Sequence, residues 1–288
     1  MNTPSDPARP TSHARPHATE RRRIVHVSDL HFGSEGVEER AEAVLATTAA
    51  LRPDVIAVSG DLTKRARPEQ FRAARRFLDR LEAHAPVVVV PGNHDVPLQP
   101  FVRFRSRLAR YRRYVHPDPQ PFFTDGHVAL AGLDTTRAFA IDGGRARRAG
   151  LARLAERLAD LPTHAYRVVV AHHPFARTPG LRLGAVVQRA DRALAAFEAV
   201  AVDAVLWGHR HETVVAPADT LARGVSRAFL LVQAGTATTR RGRRSERGQN
   251  TFMALDVAAR DVTVTRLAYD DAASGFAADA TWTFARPA

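Results

Sequence analysis

Cysteine is absent from this chain of 288 residues, which excludes a disulfide framework and any thiolate ligand for a metal. A metal, if bound, must be held by nitrogen and oxygen, which points to Mn, Fe or Zn rather than to a cysteine-type structural zinc site. Lysine is almost absent too: Lys64 is the only one, so the formal charge of +12 is carried nearly entirely by arginine. No stretch reaches the roughly 20 apolar residues of a membrane helix, and the first residues lack the apolar segment of a secretory signal. No membrane span is expected, and a cytoplasmic location is the default expectation. The sequence does not address oligomeric state.

A basic balance invites a nucleic-acid partner, because anionic backbones are drawn to basic surfaces. Arginine usage this one-sided, beside abundant alanine, follows from coding bias as readily as from function. Residues 1–22 are rich in Pro, Ser, Thr, His and Arg, with almost no large apolar side chains. Such a segment cannot offset its ordering entropy. The expected organisation is a disordered basic tail over 1–22 and one α/β domain over 23–288, long enough to bury a substantial core.

From residue 23 onward, strand and helix signals alternate. Apolar runs predict strands over 24–27, 55–58, 87–90, 128–133, 166–171 and 204–207. Helical spacing predicts helices over 37–51, from Pro68 through Leu81, over 100–115, over 151–161 and over 190–200. Later runs at 229–233, 251–257, 262–267 and 281–284 are joined by loops rather than helices, and are expected to form a second, partly antiparallel sheet packed on the first.

Five short clusters sit just past these strands: Asp29-Leu30-His31, Gly60-Asp61, Gly92-Asn93-His94-Asp95, His172-His173-Pro174 and Gly208-His209-Arg210-His211. In open α/β sheets the ligand crevice lies beyond the carboxyl ends of the strands, so one edge of one sheet is expected to gather them. Carboxylate, imidazole and amide groups collected this way are what a pair of divalent cations needs, and such a pair cleaves phosphate esters. Taken singly, a His or Asp at a strand end is more often a turn or cap residue. Five ordered elements in one structural context seldom arise by chance.

These elements resemble the calcineurin-like metallophosphoesterase superfamily, over most of the chain and with no metal-ligand position missing. The resemblance implies an α/β fold of two packed mixed β-sheets flanked by helices, a four-layer αββα sandwich. It implies two divalent metal ions: Asp29, His31 and His211 would hold one, Asn93, His172 and His209 the other, and Asp61 would bridge them with its two oxygens. Such ions sit roughly 3.5–4 Å apart and share a hydroxide that attacks phosphorus. With about +4 from the ions, about −2 from the aspartates and about −1 from the hydroxide, a residual charge near +1 favours phosphate esters. His94 would protonate the leaving oxygen or stabilise the transition state, with Asp95 orienting its ring. His173 is expected either to bind substrate or to stand behind the ligands; His26, inside a strand, is expected to be a hydrogen-bonded core residue.

The layout looks most like the branch holding class III cyclic-nucleotide phosphodiesterases and related bacterial enzymes. It implies hydrolysis of a small phosphorylated substrate, with nucleic acid less favoured. Alternatives within the superfamily are a nuclease and a nucleotide or lipid pyrophosphatase, and outside catalysis a metal-bound scaffold. Two arginine-rich segments lie open to a substrate role. One is the helix over 100–115, with Phe101, Phe104, Leu108, Tyr111 and Val115 on one face and six arginines elsewhere; the other is the run Arg240 to Arg244. The plain reading of the first is a solvated face, and of the second an exposed loop.

Overall fold

The computed structural model describes residues 21–138, 143–177 and 186–287; the expected tail over 1–22 lies almost wholly outside them. The strands build two six-stranded sheets. In the first, β1 (Arg22–Val27), β2 (Val55–Val58) and β3 (Val87–Val89) run parallel, and β10 (Thr251–Val257), β11 (Asp261–Asp270) and β12 (Gly275–Ala285) extend it antiparallel from β1. In the second, β5 (Val128–Gly132), β6 (Tyr166–Val170), β7 (Ala204–Trp207) and β9 (Leu230–Gln233) are parallel. Antiparallel β4 (Phe122–Thr124) and β8 (Val214–Pro217) form its edges.

Strand periodicity explains the layering. Ile24 faces the second sheet, while Val25 and Val27 face helices α1 (Val37–Leu51) and α2 (Pro68–Glu82). Buried residues of both sheets, among them Val88, Leu130, Val168, Leu206, Val232 and Leu255, fill the layer between them. A third cluster packs Val169, Val205 and Leu231 under α5 (Arg148–Ala159) and α6 (Ala190–Ala199). Three apolar layers between four slabs give the αββα sandwich. No helix among the described residues is long and apolar enough to cross a membrane.

Two expectations are corrected here. The late strands are not a sheet of their own: β9 joins the second sheet beside β7, with Leu206 opposite Val232, and β10 to β12 widen the first, with Ile24 opposite Leu255. The helix expected over 100–115 is two short ones, α3 (Pro100–Ser106) and α4 (Ala109–Tyr114), parted at Leu108, whose φ of −110° and ψ of 14° are not helical. Its apolar face divides as well. Leu108, Tyr111 and Val115 are buried, but Phe101 and Phe104 are 75% and 54% exposed. Arg103 is buried instead, because its guanidinium donates to the carbonyls of Pro97, Arg137 and Ala138. A short α7 (Ala218–Leu221) completes the helices used below.

Candidate metal centre

The site lies across the mouth between the two sheets rather than along one sheet edge. Asp29 and His31 follow β1, Asp61 follows β2, and Asn93, His94 and Asp95 form a 3-10 turn after β3, all in the first sheet. His172 and His173 follow β6, while His209 and His211 follow β7, in the second. All are buried or partly buried.

Asp29, His31, Asp61, His209 and His211 all have left-handed backbones, with φ of 55°, 47°, 50°, 72° and 53°. For residues with side chains this conformation costs of order 1–3 kcal/mol and persists only where the surroundings impose it. The surroundings do so. Asp29 N–H donates to Gly60 O at 3.2 Å and His31 N–H to Asp61 O at 2.9 Å, which zips the first two loops together. From the loop after β9, Ala237 N–H donates to Ser28 O at 3.1 Å, Thr236 Oγ1 to Asp29 O at 2.8 Å, and Thr238 Oγ1 to Leu30 O. Three consecutive carbonyls, of Ser28, Asp29 and Leu30, are thereby satisfied, which fixes the backbone at Asp29 and just before His31. Glycine is required where these loops touch: a Cβ on Gly208 would lie 1.8 Å from Ser28 Oγ, and one on Gly92 would lie 2.1 Å from Asp61 Oδ1.

Two groups of donor atoms converge. In the first, His211 Nε2 is 3.1 Å from both Asp29 Oδ1 and His31 Nε2. In the second, Asn93 Oδ1 is 3.0 Å from His172 Nε2 and 2.9 Å from His209 Nδ1. Asp61 stands between them, its Oδ2 lying 3.3 Å from His172 Nε2 and 3.8 Å from His31 Nε2. Its other oxygen accepts the backbone N–H of His94 at 2.8 Å, and Oδ2 faces both groups.

The donor chemistry fits cations. His172 Nδ1 faces Ser59 O at 2.7 Å and His211 Nδ1 faces Arg241 O at 3.1 Å. Each Nδ1 must donate to its carbonyl, which leaves Nε2 as a lone pair in the neutral ring. Asp29 keeps Oδ1 for the site because Oδ2 accepts Ser28 Oγ at 2.7 Å and His209 N at 2.8 Å. Charge balance agrees. Burial would raise the carboxyls of Asp29 and Asp61, but the imidazoles of His211 and His172 respectively hold them below the usual carboxylate range. Burial would lower His172, yet Asp61 and Asp29 push it up to about 9. These buried carboxylates require positive charge beside them. Ions bound to the clustered His and Asp side chains can supply the same charge.

The other expected residues fall as follows. His94 Nδ1 bonds Lys64 O at 2.8 Å, and its ring lies at the cavity with a centroid 4.8 Å from that of His31. The carbonyl of Lys64 therefore orients this ring, a role expected of Asp95. Asp95 instead accepts Gly92 N at 2.9 Å, Leu62 N at 3.1 Å, and both Thr63 N and Thr63 Oγ1 at 2.9 Å, tying the loop after β2 to the loop after β3. Burial and the charge of Asp61 raise its carboxyl to about 6 despite these donors. His173 is fully buried, with Nδ1 2.7 Å from Thr135 Oγ1, and lies beside His172 and His209, with which it forms a group able to hold an ion. His26 bonds Ser59 Oγ at 2.8 Å in the core, as expected. Sequence reasoning missed Thr236 and Thr238, whose only signal is a run of small and hydroxyl residues after β9. A cavity of ≈ 440 Å³ opens above the donors, lined by Asp61, Asn93, His94, His209, Arg210 and His211 and, from the same late loop, by Arg241 and Arg243.

Two packed mixed sheets with clustered oxygen and nitrogen donors able to bind metal at their shared mouth define the class. Residues 22–213 match the family model described as calcineurin-like phosphoesterase, and the chain belongs to that family. It is 28% identical over 209 residues to a cAMP/cGMP dual specificity phosphodiesterase from Mycobacterium tuberculosis, spanning 65% of this chain and 61% of that protein. Over 82 residues it is 35% identical to the glycerophosphodiester phosphodiesterase GpdQ of Enterobacter lignolyticus, spanning 25% of this chain and 29% of the other. In each case less than two thirds of the relative is covered. In fold, the chain superposes on the purple acid phosphatase PPD1 of yellow lupin with a TM-score of 0.69, at 11% identity, over 94% of this chain and 55% of that one.

Proposed function

We propose that this chain hydrolyses phosphoesters, phosphodiesters first among them, with two divalent ions of Mn, Fe or Zn. Asp29, His31 and His211 would hold one ion, Asn93, His172 and His209 the other, and Asp61 would serve both. The observation that carries this reading is the position of Asp61 Oδ2 between the imidazoles of His31 and His172. When bound, the ions supply a water acidified toward neutral pH and positive charge for the phosphoryl oxygens.

The chain's own residues do the rest. Asp61 Oδ1, held by His94 N–H, keeps the shared carboxylate in one orientation. His94, anchored through Nδ1, presents Nε2 to the cavity, where it can give a proton to the departing oxygen. Asp95 holds the loop beneath it. A cavity of ≈ 440 Å³ suits a small substrate better than a duplex. Both curated relatives are phosphodiesterases by name, one for cyclic nucleotides and one for glycerophosphodiesters, which supports the diester preference. A cytoplasmic location remains part of this reading.

The test is a Mn²⁺-supplemented panel of cyclic AMP, an aryl diester, an aryl monoester and single-stranded DNA. Turnover of the diesters above the monoester is expected. Turnover of DNA alone would favour the nuclease reading, and no turnover of any substrate would favour a scaffold.

A further inference from the structure

Arg241 and Arg243 are two exposed guanidinia at the mouth of the cavity, on the loop between β9 and β10. The backbone that carries them is fixed to a candidate ligand from both sides. His211 Nδ1 faces Arg241 O at 3.1 Å, and Arg243 N–H donates to His211 O at 3.0 Å. Between them Gly242 presses so closely on the following turn that a Cβ there would lie 1.8 Å from Glu246 O. Glu246 is itself buried, accepting Thr213 N at 2.9 Å and Thr251 Oγ1 and Arg266 Nη1 at 3.0 Å. The loop is anchored while, among the described residues, neither guanidinium has an ion-pair or hydrogen-bond partner. Among the described residues no carboxylate pairs with either guanidinium, whereas the neighbouring Arg244 lies 3.7 Å from Glu212.

Three arginines of the 100–115 segment contrast with these: Arg103 is spent on carbonyls, Arg107 on Asp134 and Thr136, and Arg110 on Ala66 O at 2.8 Å. Two cations without an ion pair among the described residues, held at fixed backbone positions beside a phosphoester site, have a simple use. A guanidinium fork matches phosphate oxygens in a bidentate manner, and an anchored loop lowers the ordering cost of binding. We propose that Arg241 and Arg243 form a clamp for a second phosphate, so that the preferred substrate is an acyclic phosphodiester or pyrophosphate whose far arm carries one. A cyclic mononucleotide, with a single phosphate, leaves this clamp unused.

The proposal rests on the phosphodiesterase reading above, and one pair of probes separates the two. Thymidine 5′-(p-nitrophenyl phosphate), with and without a 3′-phosphate, has one scissile bond and one leaving group and differs only in the second anion. With the Mn²⁺-loaded chain, kcat/KM is expected to be about tenfold or more higher for the 3′-phosphorylated probe, through KM, as befits charge-assisted hydrogen bonds. Arg241→Ala and Arg243→Ala should each shrink that ratio, and the double variant should bring it to about one. Arg243→Lys should recover it only in part, because a lysine offers a point charge without the fork. Arg192→Ala, an exposed charge on α6, should leave the ratio intact.

Equal use of both probes by the wild type would overturn the clamp. So would variants that slow both probes alike, since the loop would then merely support His211. If neither probe is hydrolysed, the catalytic reading fails and the clamp is decided by calorimetry. Thymidine 3′,5′-bisphosphate should then bind the Mn²⁺-loaded chain about tenfold tighter than thymidine 5′-monophosphate, and the double variant should erase that difference; equal affinities in the wild type reject the clamp.

Discussion

Asp61 and His172 meet across the boundary between the two sheets, Oδ2 to Nε2 at 3.3 Å, although their strands share no hydrogen bond. The contact draws β2 and β6 into one site, and Asp61 extends the same oxygen toward His31. Asp61→Asn replaces a charged oxygen facing both donor groups with a neutral amide. Manganese content per chain should fall, and activity should drop by at least roughly 10²-fold, the upper end of what losing even an outer partner costs. Elemental analysis after gel filtration, paired with the diester assay, checks both. Full metal content in the variant would mean that Asp61 is not shared.

His94 tests how chemistry and metal binding divide. Its Nδ1 bonds Lys64 O and its ring stands with His31 and Asp61 in a group able to hold an ion, but on the reading proposed above it serves the leaving oxygen. His94→Ala should therefore retain manganese while turnover falls by about 10²–10⁴-fold, the range for a lost acid–base group. Loss of metal in this variant would place His94 among the ligands. The deficit should be smaller for an aryl diester than for an alkyl diester, since the better leaving group needs less protonation.

The strand-end clusters were legible because they depend only on local features: an apolar run marks the strand, and the polar residues after it mark its mouth. Which sheet each strand joins was not legible. β10 pairs with β1 across more than two hundred residues of chain, and no local pattern in Thr251–Val257 distinguishes that partner from another. The same gap hid the exposure of Phe101 and the burial of Arg103. Helical spacing groups Phe101 with Leu108, but the carbonyls of Arg137 and Ala138, from a distant loop, claim the guanidinium. Asp95 shows the limit at the site itself: adjacency to His94 suggested a pair, whereas four donors from Gly92, Leu62 and Thr63 hold its carboxylate.

The hydroxyl of Thr236 is the sole side-chain donor to the carbonyl of Asp29 among the described contacts, at 2.8 Å in a fully buried setting. Thr236→Val keeps the shape and removes the donor, leaving a buried carbonyl unsatisfied at a cost of about 1–3 kcal/mol. Because that carbonyl belongs to a residue held at a φ of 55°, relaxation of the loop should also weaken manganese affinity, by roughly 10-fold or more. Thr236→Ser should stay near wild type in both. A lowered melting temperature with unchanged manganese titration would show that the loop's shape does not depend on this bond.

His26 provides a pH signature independent of catalysis. Burial between the sheets pushes its imidazole down to about 3, with Nε2 on Ser59 Oγ and Nδ1 without a hydrogen-bond partner among the described residues. In the unfolded chain the ring titrates near 6.5. Between those two values the unfolded state binds a proton that the folded state refuses, so stability rises with pH in that window and is lost as pH falls through it. The slope is about 1.4 kcal/mol per pH unit, which amounts to about 2 kcal/mol by pH 5. Above 6.5 both states are neutral and the contribution vanishes. His26→Gln keeps a hydrogen-bonding group for Ser59 and removes the titration. Urea unfolding from pH 7.5 to 4.5 should therefore show the wild type losing stability more steeply than the variant below pH 6.5, with parallel curves above it. Parallel curves throughout would mean that the native state accepts the proton and that the space around Nδ1 holds an acceptor for it.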